Sequence, residues 1–94
     1  VLKPIEESGA IRSNETRAIA CAGTGLGMAI LPSLKNGRSV VPSEGGHVRI
    51  ATVDAYEREL VDAAEQELGL KTITWEHFLS GPGLVNLYRA VASL

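Results

Sequence analysis

The chain reads as an α/β unit in which a small antiparallel meander precedes amphipathic helices. Three observations carry that reading. Apolar runs without helical period lie between Arg17 and Val41, glycine-rich turns punctuate them, and from Asp54 onward apolar residues recur at helical spacing. With 94 residues the chain fits one unit, residues 1–94, and no internal repeat, low-complexity tract or linker divides it.

Each element has its own signal. Ala18-Ile19-Ala20-Cys21-Ala22 is a first strand, ending at Gly23-Thr24-Gly25-Leu26-Gly27, and Met28-Ala29-Ile30-Leu31-Pro32 is a second. Asn36-Gly37 predicts a two-residue hairpin, because both central positions of a type I′ turn need positive φ. The returning strand is then Arg38-Ser39-Val40-Val41. Asp54 with Glu57 resembles a capping box in which Asp replaces Ser or Thr; Tyr56, Leu60, Val61, Ala64 and Leu68 form a helical stripe that Gly69 stops. Thr74 caps a short helix through Phe78. Gly81-Pro82 punctuates the chain before a last helix on Leu84, Val85, Leu87, Tyr88 and Val91.

Composition narrows the function classes. Nine basic and eleven acidic side chains give a net charge of −2 with no basic block, so neither nucleic acid nor a membrane surface is an expected partner. The lone Cys21 has no internal disulfide partner and is expected to be a small buried apolar residue. No apolar run reaches the length of a membrane span or a signal-peptide core. A cytoplasmic setting is the expectation. Asn14-Glu15-Thr16 matches the glycosylation sequon, but nothing else points to secretion. The opening Val1-Leu2-Lys3-Pro4-Ile5 reads as an interior segment, from a truncated or processed chain.

Ser43-Glu44-Gly45-Gly46-His47 concentrates the chemistry. A carboxylate and an imidazole are separated by two glycines, which marks a tight bend or a close backbone approach aiming both groups at one small polar ligand. Glu-x-x-His is also the spacing of di-iron carboxylate bundles, where both ligands share a helix face. Two glycines inside that turn would cost about 2 kcal/mol of helix propensity relative to alanine. There is no second Glu-x-x-His, so a metal site is not expected.

Gly23-Thr24-Gly25-Leu26-Gly27 lacks the Lys-Ser/Thr ending of a Walker A loop and the spacing of the dinucleotide fingerprint. The run after it is strand-like, so no helix N-terminus follows to receive a pyrophosphate. Two readings stay open: an ordinary hairpin turn, or a turn whose backbone N–H groups and Thr24 hydroxyl cradle a phosphate.

Read together, Gly23-Thr24-Gly25-Leu26-Gly27, Pro42-Ser43-Glu44-Gly45-Gly46-His47 and the run Glu76-His77-Phe78-Leu79-Ser80-Gly81-Pro82-Gly83-Leu84-Val85-Asn86-Leu87-Tyr88 closely resemble the bacterial glucokinase family. The resemblance extends from Ala20 to Leu94, and Leu79 to Tyr88 is its most specific part. It implies part of an actin-like, ribonuclease H-like ATPase fold, the central piece of the larger of two lobes. It also implies a reaction, transfer of the γ-phosphoryl group of ATP to the 6-hydroxyl of D-glucose with Mg2+. By the same resemblance Glu44, His47 and Glu76 fall on positions that hold the sugar hydroxyls, and Gly23, Thr24 and Gly25 on the loop that meets the ATP phosphates.

The residue types suit those roles. A carboxylate accepts two hydrogen bonds from neighbouring hydroxyls, while neutral imidazole donates at one nitrogen and accepts at the other. Without the resemblance, Glu76 reads as a charge favoured by the helix macrodipole, Glu44 as a solvated turn residue and His47 as a surface histidine. His77 is expected to be exposed.

Phosphoryl transfer also needs a base for the hydroxyl proton. The resemblance places that aspartate, and an Asp-Gly-Gly phosphate loop, before Val1, and the adenosine-binding glycine segment after Leu94. Asp54 and Asp62, the only aspartates, match neither. The 94 residues are therefore expected to carry most of the sugar-holding residues and one phosphate loop but to show no kinase activity alone, so glucose-dependent ADP production by them would contradict this reading. The alternative is a non-catalytic sugar-binding or interaction domain derived from a sugar kinase. Strand edges normally paired with other segments also favour a homodimer.

Overall fold

The computed structural model describes residues 15–33 and 39–94. The Asn36-Gly37 turn, Arg38, the Val1-to-Ile5 opening and Asn14 of the sequon lie outside the described residues. Strands β1 (Arg17–Ala22) and β2 (Leu26–Leu31) form an antiparallel pair running from Arg17 opposite Leu31 to Ala22 opposite Leu26. The register leaves Gly23, Thr24 and Gly25 as the turn. Strand β3 (Val41–Ser43) pairs antiparallel with the other side of β2, Ser43 opposite Met28, in the order β1-β2-β3.

The third strand starts where the sequence reading ends it. Ser39 and Val40 precede it, and Pro42 lies inside it opposite Ala29. Proline has no N–H for a ladder, but β3 pairs only with β2, and an edge strand can turn that position outward. β1 is exposed along its whole length. Cys21 is accordingly exposed rather than buried, because no described element covers β1.

A 3₁₀ turn (Gly45–His47) follows β3, then helices α1 (Ala55–Leu68), α2 (Trp75–Phe78) and α3 (Gly81–Ala92). The start of α1 keeps the predicted N-cap but not the full box: the Asp54 carboxylate accepts from Glu57 N–H at 2.8 Å, while Glu57 Oε2 accepts from the N–H of Val53, one residue before the cap, at 2.8 Å. Its end is the predicted glycine. Gly69 has φ 65°, its N–H reaches Gln66 O, and Leu70 N–H reaches Glu65 O, a Schellman closure.

The core lies among the helices. Ala64, Ile73, Phe78 and Ala90 are buried, with Ile50, Leu60, Val61, Leu68 and Leu87 packed around them. Tyr56, one turn before Leu60 on the predicted stripe, is exposed. α3 departs further from expectation. Its buried face is Gly83 and Ala90 with half-buried Leu87, while Leu84, Val85, Tyr88 and Val91 are exposed. Small residues let α3 seat closely: a Cβ on Gly83 would lie 2.6 Å from the Phe78 carbonyl carbon, so only glycine admits this approach.

One non-local contact ties the core to the loop after β3. Arg49 and Thr74 form an isolated antiparallel bridge, flanked by Ile50 N–H to Ile73 O at 3.0 Å and Trp75 N–H to Val48 O at 3.1 Å. The segment directly after His47 is thereby fixed beside the start of α2. His47 and Glu76 become neighbours through backbone pairing.

Candidate functional site

Glu44, His47 and Glu76 meet in one polar network. His47 Nε2 lies 3.0 Å from Glu76 Oε2, and His47 Nδ1 lies 3.5 Å from Glu44 Oε2. The second Glu76 oxygen, Oε1, accepts from the backbone N–H of Leu26 at 2.9 Å. Exposure falls along this series: the side chains of Glu44, His47 and Glu76 are 86%, 59% and 34% exposed. Glu44 reaches into solvent. Glu76 is the anchored member.

The two glycines of the 3₁₀ turn act by close approach. Neither has positive φ, since Gly69 is the only described glycine that does. Gly46 is buried against β2, where an added Cβ would strike the Leu26 carbonyl oxygen, and at Gly45 it would collide with Met28 Sδ. Both features the pair suggested are present, a tight bend closed by His47 N–H on Glu44 O at 2.9 Å and a close backbone approach. The approach seats the His47 turn on the strand that leaves the Gly-Thr-Gly turn.

The phosphate-loop candidates lie next to this network. Gly25 faces Glu76, and a Cβ there would collide with Glu76 Oε1. Gly23 N–H closes the turn on Gly25 O at 2.8 Å, and Gly23 O accepts from the backbone N–H of Gly81 at 2.7 Å. Gly23 borders open space, since a Cβ there would meet nothing within 4 Å, and Thr24 is exposed. Among the described residues, the N–H groups of Thr24 and Gly25 find no acceptor.

Glu76 is held below the usual carboxylate range, chiefly by the Leu26 N–H, which binds only the ionised form well. Partial desolvation opposes this, and His47 and His77 reinforce it. A depressed carboxylate stabilises the fold above its unfolded-state range and loses that contribution as pH falls through the folded value. Thermal melts of wild type and Glu76→Gln should therefore differ at neutral pH and converge in acid below the ordinary carboxylate range. Circular dichroism across that range checks it.

Three contributors escaped the sequence reading. His77 is half-buried rather than exposed: its Nδ1 accepts from Thr74 N–H at 2.9 Å, taking the place that Glu or Gln holds in a capping box. The Thr-x-x-His spacing was the available signal. Ser80 is buried at 6% exposure, accepts from Gly83 N–H and donates to Glu76 O, both at 2.9 Å. A serine directly before Gly-Pro is a legible N-cap. Leu26 contributes a backbone N–H, which no residue type announces.

A sequence profile described as Glucokinase matches residues 4–94. The chain belongs to the glucokinase family. A glucokinase of Saccharophagus degradans is 42% identical over 88 residues, 94% of this chain and 27% of that enzyme. A glucokinase of Yersinia enterocolitica is 46% identical over 74 residues, 79% of this chain and 22% of that one. Among solved structures, glucokinase from an Antarctic psychrotroph superposes with a TM-score of 0.81 at 32% identity, covering 93% of this chain and 26% of that one. The glucokinase of Balamuthia mandrillaris, solved in complex with glucose, gives 0.78 at 34% identity, covering 89% and 25%. The chain thus spans about a quarter of the length of these glucokinases. The predicted α/β architecture is the part of the sugar kinase fold it shares with them. No helix among the described residues is long and apolar enough to cross a membrane.

Proposed function

We propose that this chain is the central part of the large lobe of a cytoplasmic ATP-dependent glucokinase, and that it holds D-glucose through Glu44, His47 and Glu76. The supporting observation is the joining of these three side chains in one network although Glu76 is 29 residues from His47. Its donors and acceptors suit a sugar: two carboxylates accept from hydroxyls, and the imidazole presents both functions. An analogue lacking a matching hydroxyl would leave these groups unpaired, which is how such sites discriminate strongly. The glucose complex of the Balamuthia relative favours the same substrate.

Gly23, Thr24 and Gly25 would hold the phosphates of ATP. The uncommitted N–H groups of Thr24 and Gly25, the Thr24 hydroxyl and the open space at Gly23 fit an anion. ATP bound with Mg2+ supplies the γ-phosphoryl group and the charge neutralisation that its transfer requires. This chain's residues orient the sugar and position the turn. The proton of the 6-hydroxyl passes to a base that we assign to a part of the kinase outside these residues. A homodimer formed over the exposed edge of β1 completes the proposal.

Glucose titration tests the assignment. Trp75, the only tryptophan, immediately precedes Glu76 and is 40% exposed, so its fluorescence should change saturably with D-glucose and not with glycerol. Absence of saturable binding by both fluorescence and calorimetry, in folded protein, would overturn it.

A further inference from the structure

We propose that Ser80 is a positioning residue that sets the sugar-holding carboxylate and the phosphate turn in register, while touching neither ligand. This rests on the assignment of the two loops above. Ser80 stands at a junction. Its hydroxyl donates to the backbone oxygen of Glu76 at 2.9 Å and accepts from Gly83 N–H at 2.9 Å, so one atom fixes both the end of α2 and the start of α3. From that junction two connections run to the glycine turn. Glu76 reaches its far side through Leu26 N–H at 2.9 Å, and the residue after Ser80, Gly81, reaches its near side through Gly23 O at 2.7 Å.

The turn is therefore gripped on both flanks by groups whose spacing Ser80 defines. Between the grips Gly25 lies so close to Glu76 that no side chain fits. A shift of α2 against α3 would move the Glu76 carboxylate relative to Gly81 and change both loops together. Burial of Ser80 at 6% keeps water from replacing its two hydrogen bonds.

The test separates this role from simple helix capping. Ser80→Asp keeps an acceptor for Gly83 N–H but cannot donate to Glu76 O, whereas Ser80→Thr keeps both functions. In the complete kinase, dissociation constants are measured for D-glucose and for a non-hydrolysable ATP analogue with Mg2+, well below the melting temperature. Ser80→Asp should weaken both ligands by roughly fivefold or more, a typical coupling between sites, and Ser80→Thr should restore both. A folded Ser80→Asp with either constant unchanged overturns the inference and leaves the loop assignment standing. If Ser80→Asp does not fold, Ser80→Ala is measured against the same criterion. Wild-type protein that binds no glucose overturns the sugar-loop assignment, and this inference with it.

Discussion

Glu76→Gln is expected to raise the dissociation constant for D-glucose roughly 10- to 100-fold, the loss that follows when a hydrogen bond to a charged group, worth about 1.5–3 kcal/mol, is weakened. The substitution keeps the shape of the side chain. Its amide oxygen can still accept from Leu26 N–H, so the glycine turn stays in place. What changes is the group facing His47 and, in the proposed complex, the sugar, where an acceptor becomes a donor and the negative charge disappears. Truncation to alanine would mix that effect with the loss of the Leu26 anchor. Fluorescence of Trp75 reports binding beside the altered residue, with melting curves to show that the fold survives. A dissociation constant within twofold of wild type would remove Glu76 from the sugar site.

Ile73→Ala should destabilise the chain by about 2–5 kcal/mol, the usual cost of deleting a large buried aliphatic side chain and leaving a cavity. Ile73 is 1% exposed and is the largest fully buried side chain described. It shares the core with Ala64, Phe78 and Ala90, with Ile50, Leu60 and Leu87 packed around them, and a close-packed core relaxes only partly into the space a deleted side chain leaves. Small domains have about 5–15 kcal/mol in total, so the loss removes a large fraction of it. The effect reaches the site as well. Ile73 O accepts from Ile50 N–H in the pairing that brings His47 to Glu76, and loosening it should weaken glucose binding before the domain melts. Ile73→Val, which removes one methyl group, should cost about 0.5–1.5 kcal/mol. Chemical denaturation of the three proteins gives the ranking, and equal midpoints for Ala and wild type would refute it.

Local signals were legible where the physics was local. Asp54, Glu57 and Gly69 bounded α1 because capping and left-handed closure depend on residues a few positions apart. The Gly-Thr-Gly turn was equally readable, since β1 and β2 pair across it directly. Strand β3 was displaced because the returning strand was counted from the Asn36-Gly37 turn, whereas the pairing with β2 begins at Val41 and runs through Pro42, which an edge position accepts. In α3 the large apolar residues suggested the core face, yet the face that packs is the one with the smallest side chains, and periodicity alone does not separate the two.

The candidate site was legible in its residues and not in its connections. Glu44, His47 and Glu76 were selected by resemblance and are neighbours in space. Nothing in their spacing predicted the Arg49–Thr74 bridge that makes them so, because a single long-range pair leaves no periodic trace. His77 and Ser80 had readable capping patterns, but their relation to Glu76 depends on how two short helices meet.

The partner of Glu76 on the glycine turn is a peptide N–H, and that shapes which substitutions the turn can absorb. At position 26 any residue except proline keeps the donor, so the side chain there is free to vary as far as this bond is concerned. One position earlier the freedom reverses, because even a methyl group on Gly25 would displace the carboxylate. A search for a basic side chain paired with Glu76 would find nothing at this turn. The contact is written in the chain's backbone and in the absence of a side chain beside it.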